Sequence, residues 1–328
     1  MRRVGIGVAV MGACALAVAG CGGSGAAPQA AATPSSTPTS TAATHDFGSY
    51  DLFIAGTATG DPAESQVFGV NLNPLTVDRL STDSRIRSFA ADAEHLVVSF
   101  TDGQVLKLAQ LTSSGGLTPI PGLGEPDALY SQLRDGLLYF GDGEGTSADH
   151  RYRYFSWDPV GQRKTTLFSS AANEHPKPAG DGRFVVTEAA ADGTDDLVVH
   201  DATGEVRRYP LRVRTGAVRV GRDYAAVTTV EGKDAETTGL PDGLILVNLA
   251  TGATTRVPKL LVLCWNPDGT RLLTVQLITA PDDSQTSRLA LVDPTNPEAP
   301  STAVATIPFP IYEGEWVRGA APTATPTP

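Results

Sequence analysis

The sequence predicts an all-β domain built from repeated units of about four short strands. Five times along the chain, a turn that contains an aspartate is followed at once by an apolar run. These aspartates are Asp92, Asp135, Asp181, Asp223 and Asp268, at spacings of 43, 46, 42 and 45 residues. A period near 44 residues with four strands per unit is typical of β-propeller blades. No segment has the apolar pattern of a long amphipathic helix.

Each apolar run is expected to form the second strand of a blade, whose strands we name A to D from the channel outward. The runs are residues 96–98, 137–140, 184–186, 224–227 and 272–275. A second repeat of Asx, Gly or Pro turns follows the third apolar run of each unit, at 70–74, 156–159, 199–204, 247–252 and 291–294. These residue types suit tight turns because they tolerate left-handed or self-bonded backbone. They predict the turns between strands C and D.

The two ends of the repeat region predict how the ring closes. The first unit begins with a B-type strand, residues 52–55, and lacks strand A, whereas one unpaired strand, residues 313–317, follows the last unit. Pairing these two segments would complete the first blade and remove two exposed sheet edges. We therefore expect six blades closed by the C-terminal strand. Seven blades are the alternative if residues 112–127 contain further strands.

One copy of the first repeat resembles a known family motif. Residues 264–272 read Cys-Trp-Asn-Pro-Asp-Gly-Thr-Arg-Leu, which is similar to the W-S-P-D-G-x-x-[IL] repeat of WD40-like, TolB-type propellers. The copies at Asp135 and Asp181 keep only the Asp-Gly pair. The resemblance implies the propeller architecture for the whole folded part.

The N-terminal residues have the pattern of a bacterial lipoprotein signal. Arg2 and Arg3 precede a short apolar run, which ends in Val18-Ala19-Gly20-Cys21 and resembles a lipobox. The resemblance implies that Cys21 is lipidated and that the protein is anchored, with palmitate among its acyl chains, on the extracytoplasmic side of a bacterial cell membrane. An ordinary signal peptide with an incidental cysteine is the alternative.

Composition divides the chain into four parts. We assign 1–20 to the signal peptide, 21–46 to the lipidated cysteine and a Pro/Ser/Thr/Ala linker, 47–317 to the propeller and 318–328 to a Pro/Thr tail. The linker has too few large apolar residues to fold by itself. Only Cys264 would remain as a free thiol in the mature chain, so no intramolecular disulfide can form.

Charge limits the partners. The chain has 36 acidic and 25 Lys or Arg residues, for a net charge of -11, which argues against nucleic acid as a partner. Acidic residues concentrate in the predicted B–C loops: Asp61, Glu64, Asp142, Glu144, Asp149, Asp192, Asp195, Asp196, Asp234, Glu236, Asp242, Asp282 and Asp283. They predict an acidic binding face for a protein or envelope component. Solubility alone is the other explanation.

Motifs for chemistry are scarce. The sequence has no G-x-S-x-G elbow and no Cys/His spacing of a metal site. We expect no cofactor; a Ca²⁺ site remains an alternative, although the stretches after Asp142 and Asp192 lack the EF-hand pattern. The one candidate catalytic group is His150, Glu174 and His175, which the blade assignment brings near the channel and which could act as acid, base or metal ligands.

Three functions follow in order of preference. The first is a lipid-anchored, monomeric recognition or scaffold module without catalytic activity. The second is a propeller lyase or hydrolase centred on His150, Glu174 and His175. The third is a structural lipoprotein that binds no ligand.

Overall fold

Six antiparallel sheets of four strands each form the domain, one sheet per blade. The computed structural model describes residues 44–58, 64–82, 85–92, 94–102, 105–120, 132–134, 136–144, 151–158, 161–170, 176–230, 243–258 and 260–318. In this part of the chain the ring is the six-bladed β-propeller that the repeats predicted. No helix within these ranges is long and apolar enough to cross a lipid bilayer.

The strands follow one another from the channel outward in every blade. Blade 1 contains β1 (Leu52–Gly56), β2 (Gln66–Leu72), β3 (Leu75–Arg79) and, as strand A, β24 (Ile311–Trp316). Blade 2 contains β4 (Ile86–Ala91), β5 (Leu96–Asp102), β6 (Val105–Leu111) and β7 (Leu117–Pro119). Blade 3 contains β8 (Gln132–Arg134), β9 (Leu137–Glu144), β10 (Arg151–Asp158) and β11 (Arg163–Ser170).

The other three blades repeat this order. Blade 4 contains β12 (Lys177–Gly180), β13 (Arg183–Ala189), β14 (Asp195–Asp201) and β15 (Gly204–Val213). Blade 5 contains β16 (Thr215–Val220), β17 (Tyr224–Thr229), β18 (Gly243–Asn248) and β19 (Thr254–Pro258). Blade 6 contains β20 (Leu261–Trp265), β21 (Leu272–Thr279), β22 (Gln285–Val292) and β23 (Thr302–Ile307).

Apolar side chains on both faces of the inner strands build the core. Leu52 and Ile54 of β1 pack toward blade 6, whereas Phe53 and Ala55 pack toward blade 2. This division follows from the two-residue period of a strand. Six clusters of buried side chains in the described residues fill the six interfaces between neighbouring blades. The outermost strands are more exposed, as in β3, where no residue is fully buried.

The predicted closure is confirmed. β24 pairs antiparallel with β1, with Leu52 opposite Trp316 and Phe53 opposite Glu315. Outside the ladder, the backbone amides of Val317 and Arg318 donate to the carbonyl oxygen of Asp51, at 3.0 and 3.2 Å. The chain therefore enters and leaves the ring at the same edge of blade 1.

The aspartate turns lie between strands A and B, as the repeat predicted. In blade 2, Asp92 Oδ1 accepts hydrogen bonds from the backbone amides of Glu94 and His95, at 2.8 and 2.7 Å. In blade 6, Asp268 Oδ1 accepts from the amide and hydroxyl of Thr270. A short acceptor at this position satisfies turn amides that lack a strand partner, which explains why aspartate recurs there.

Candidate functional site

A pocket of about 560 Å³ lies at the end of the central channel where the A–B turns meet. We call this end the A–B mouth. Its walls come from β24 and from the strands A and A–B turns of blades 2, 3, 5 and 6. The polar and aromatic lining residues are Asp92, Gln132, Arg134, Arg219, Arg222, Trp265, Asn266, Asp268, Glu315 and Trp316. It is a polar pocket with aromatic walls.

The Trp-Asn-Pro-Asp-Gly turn forms one side of the A–B mouth. Trp265 Nε1 donates to the carbonyl oxygen of Arg219 in blade 5, at 3.0 Å. Asn266 Oδ1 accepts from the amides of Thr270 and Arg271, at 2.9 and 2.8 Å. The motif that resembles the family repeat therefore holds the turn of blade 6 against blade 5.

The approach of these two turns requires a glycine. Gly269 has a φ of +69°, and a Cβ atom added there would lie 2.5 Å from the backbone nitrogen of Arg222. That nitrogen donates to the carbonyl oxygen of Gly269 at 3.0 Å. A side chain at this position would break the contact, so the rim of the mouth depends on the glycine.

Below the mouth, a charged pair spans the channel. Arg219 of blade 5 and Glu313 of blade 1 are both buried, and their NH2 and Oε1 atoms are 3.7 Å apart. Glu313 Oε2 also accepts from the amide of Phe89 in blade 2, at 3.1 Å. Arg219 donates to the carbonyl oxygens of Leu263 and Val218, both at 3.2 Å. The ion pair joins blades 5 and 1 across the axis. The hydrogen bonds of its two side chains extend the contact to blades 2 and 6.

Two further charges face the same space. Lys177 at the start of β12 is 3% exposed, and Glu315 lies two residues after Glu313 on β24. Burial raises the pKa of Glu313 to about 7, although Arg219 and the Phe89 amide act in the opposite direction. Burial also raises the pKa of Glu315, against the attraction of Arg219 and Lys177. Perturbed carboxylates in a cavity indicate a candidate functional site.

The predicted acidic face is only partly within the described residues. Asp192 and Asp282 lie in B–C loops, where each uses Oδ1 to accept a backbone amide two residues later, at 3.0 and 3.1 Å. Asp283 has a φ of +63° in the same turn as Asp282, and Glu64 is exposed two residues before β2, the strand C of blade 1. These loops lie at the channel end opposite the A–B mouth.

Other members of the predicted face lie in strands. Asp195 and Asp196 begin β14; Asp195 is buried and accepts from Thr215, and Asp196 pairs with Arg208 at 3.2 Å. Asp142 and Glu144 belong to β9. Asp61, Asp149, Asp234, Glu236 and Asp242 lie outside the described residues. The acidic binding face therefore stays a prediction.

The predicted catalytic and lipidation residues also lie outside the described ranges. These are His150, Glu174, His175 and Cys21. Within the described ranges, no group of three or more His, Cys, Asp or Glu side chains could hold a metal ion. Cys264 is buried, and burial raises the pKa of its thiol well above the usual value.

Comparison with solved structures identifies proteins of the same fold. TolB from Acinetobacter baumannii matches with a TM-score of 0.57 and 12% identity over 82% of this chain and 66% of its own. This chain has the TolB-like β-propeller fold. The nidogen/laminin complex matches with a TM-score of 0.51 and 13% identity, over 80% of this chain and 96% of the other.

A third propeller differs in closure. The β-propeller domain of the Trilobed protease from Pyrococcus furiosus matches with a TM-score of 0.50 and 9% identity over 79% of this chain and 82% of that one, and it has an open velcro topology. In the present propeller, β1 and β24 pair in one antiparallel ladder, with a register shift between Ala55 and Gly56. No protein-family model and no curated protein matches the sequence.

Sequence reasoning missed the charged residues of the channel. Glu313 and Glu315 alternate within the closing strand, and Arg219 and Lys177 each lie on a strand A. Charged residues on the innermost strand of a blade were the available signal, because that strand has no neighbour on its channel side. Which of these charges meet depends on the arrangement of all six blades.

Proposed function

We propose that this protein is an extracytoplasmic recognition module, a TolB-like β-propeller that is anchored by lipid at Cys21 and binds a protein partner at the A–B mouth. The observation that carries the proposal is the pocket of about 560 Å³ with charged and aromatic walls. Concave sites with a few fixed polar groups are typical binding sites.

The fold supports binding to a protein. The matching nidogen structure is that of a complex with laminin, so the propeller architecture is compatible with a protein partner. At 13% identity this likeness concerns the fold alone, and the location of the binding surface is argued from the present chain. Its pocket walls are fixed by hydrogen bonds between blades, such as that of Trp265 to Arg219, which lowers the entropy cost of binding.

The A–B mouth is preferred to the acidic face for a structural reason. The described loop carboxylates Asp192 and Asp282 are engaged in their own turns, so part of their hydrogen-bonding capacity is already used. The A–B mouth combines charged side chains with a cavity of about 560 Å³. The acidic face is the competing location, and the experiment below separates the two.

The anchor at Cys21 is proposed from the sequence pattern Val18-Ala19-Gly20-Cys21, which resembles a lipobox.

Two experiments test the proposal. A photo-cross-linking residue replaces either Arg222, whose side chain is 65% exposed at the A–B mouth, or the exposed Asp282 on the opposite side. We expect a discrete adduct with an envelope protein from position 222 only. An adduct from position 282 only would favour the acidic face, and no adduct from either position would contradict the recognition function.

The anchor is tested separately. Palmitate labelling and membrane fractionation of the full chain are compared with those of Cys21→Ser. We expect labelling and membrane retention to be lost in the variant. Equal retention of both proteins would contradict lipid anchoring at Cys21.

A further inference from the structure

The cationic side chains of the A–B mouth already have acceptors. Arg134 NH1 donates to the carbonyl oxygen of Pro178 at 2.6 Å, and Arg222 Nε pairs with Asp223 at 3.0 Å. Arg219 is held by two carbonyl oxygens and lies 3.7 Å from Glu313. The pocket therefore has no cation that is without a partner among the described residues.

Two acceptors in the same pocket lack donors. Gln132 Oε1 is buried and has no hydrogen-bond partner. Glu315 lines the pocket, and no hydrogen bond to its carboxylate occurs within the described part of the chain. The other lining carboxylates, Asp92 and Asp268, accept from amides of their own turns. Among the described residues that line the A–B mouth, the buried side-chain atom without a partner is thus an acceptor, Gln132 Oε1.

A buried acceptor that lacks a hydrogen-bond donor costs free energy. Gln132 Oε1 is such a shielded acceptor and loses the hydrogen bonds that water would give it, whereas Glu315 is half-buried and lines the open pocket. The electrostatics agree, since burial raises the pKa of Glu315 even though Arg219 and Lys177 act to lower it. A donor group that fills the pocket would relieve both effects.

Resting on the proposed function, we propose that the A–B mouth takes a basic side chain of the partner protein, with Glu315 and Gln132 as its acceptors. Lysine and arginine have several donors and no acceptors, which matches what the pocket lacks. Trp265 and Trp316 also line the pocket, although both side chains are mostly buried in clusters between blades.

Neighbouring charges set the specificity. Arg219 lies against Glu313 and therefore compensates that carboxylate rather than Glu315 by direct contact. An incoming ammonium or guanidinium would add to the attraction that Arg219 and Lys177 already exert on Glu315. An acidic side chain would instead add another carboxylate to a pocket that Asp92, Asp268 and Glu315 already line.

The test uses the full chain and small probes. Acetyl-Ala-Lys-Ala-amide is titrated against the protein by calorimetry, with the norleucine and glutamate analogues as controls. We expect measurable binding of the lysine probe alone. Glu315→Gln should weaken this binding about tenfold, as expected for loss of a charge-assisted hydrogen bond, whereas Asp282→Asn on the opposite side should leave it unchanged.

A second variant keeps the test valid if Glu315→Gln perturbs folding. Gln132→Met removes the unpartnered acceptor without changing any charge, and it should weaken the lysine probe about threefold. Equal binding of lysine and norleucine probes, or unchanged binding in both variants, would overturn the inference. If position 222 still cross-links a partner in that case, the proposed function stands and only the basic-residue inference fails.

Discussion

Leu52 lies directly opposite Trp316 in an antiparallel ladder, so the first and last strands of the ring share one sheet. The contact buries both side chains in the cluster between blades 1 and 6. Because the first blade would otherwise lack its innermost strand, its stability depends on residues from the far end of the chain. Strand closure of this kind removes edges that could pair with other chains.

At Gly314 of β24, closure of the ring should be sensitive to the size of the side chain. A Cβ atom there would lie 2.7 and 2.8 Å from Cγ and Cδ2 of Leu263. We expect Gly314→Ala to lower the free energy of unfolding by about 1–3 kcal/mol, the usual cost of overpacking. Urea denaturation measures this change. Gly116→Ala is the control, because its nearest contact would be 3.4 Å away; equal losses in both variants would contradict the explanation.

Glu313 should make stability depend on pH. Its pKa rises from 4.5 to about 7 on folding, so between these values the folded protein keeps a proton that the unfolded chain has lost. The contribution of Glu313 to the free energy of unfolding is therefore complete below pH 4.5. It falls by on the order of 3 kcal/mol as the pH rises through 7.

Glu313→Gln tests this dependence. The amide oxygen can still accept from Phe89 N, and the variant has no charge to bury. We expect the variant and the wild type to have similar Tm values at pH 5 and the variant to have the higher Tm at pH 8. Turn aspartates with lowered pKa, such as Asp192 and Asp282, titrate below this window. A constant Tm difference between pH 5 and 8 would contradict the assignment.

Trp265 should contribute through a hydrogen bond as well as through packing. Its Nε1 donates to Arg219 O at 3.0 Å, and the side chain is 8% exposed. Trp265→Phe leaves that carbonyl without its indole donor, with an expected loss of about 2 kcal/mol. Trp157→Phe is the control for ring size, since Trp157 is similarly buried at 6%. Chemical denaturation should show a larger loss for Trp265→Phe; the reverse order would contradict the role of the hydrogen bond.

Arg208 joins three carboxylates on blade 4. It lies 2.6 Å from Glu188, 3.2 Å from Asp196 and 2.7 Å from Glu205. Arg208→Met would leave these acids without their shared cation, and we expect a loss of about 1 kcal/mol that shrinks at high salt.

Arg183→Met provides the comparison for Arg208. Arg183 pairs only with Asp181 among the described carboxylates, and that carboxylate is 88% exposed. We expect its replacement to change stability by less than about 0.5 kcal/mol. Unfolding measured at low and high salt checks both variants, and a loss for Arg208→Met that does not respond to salt would exclude the electrostatic explanation.

Local patterns account for the success of the fold prediction. In the turns between strands A and B of blades 2 and 6, Asp92 and Asp268 accept hydrogen bonds from amides that lack a strand partner. The apolar runs recur because strands B are buried on both faces, as in β5 and β17. Both requirements are met within a few residues, so the sequence shows them directly. Even closure was readable, because one strand was missing at the start and one was in excess at the end.

The sequence by itself therefore predicted the propeller fold, six blades with seven as the alternative, and the closing pair of strands. Only the tertiary structure decided that Arg219 meets Glu313, that Gln132 and Glu315 share a pocket, and that this pocket lies at the A–B turns. The physical reason is that turn and strand signals act between neighbours in the chain, whereas the channel collects side chains from separate blades. Their proximity follows from the curvature and register of the whole ring, which no local pattern specifies.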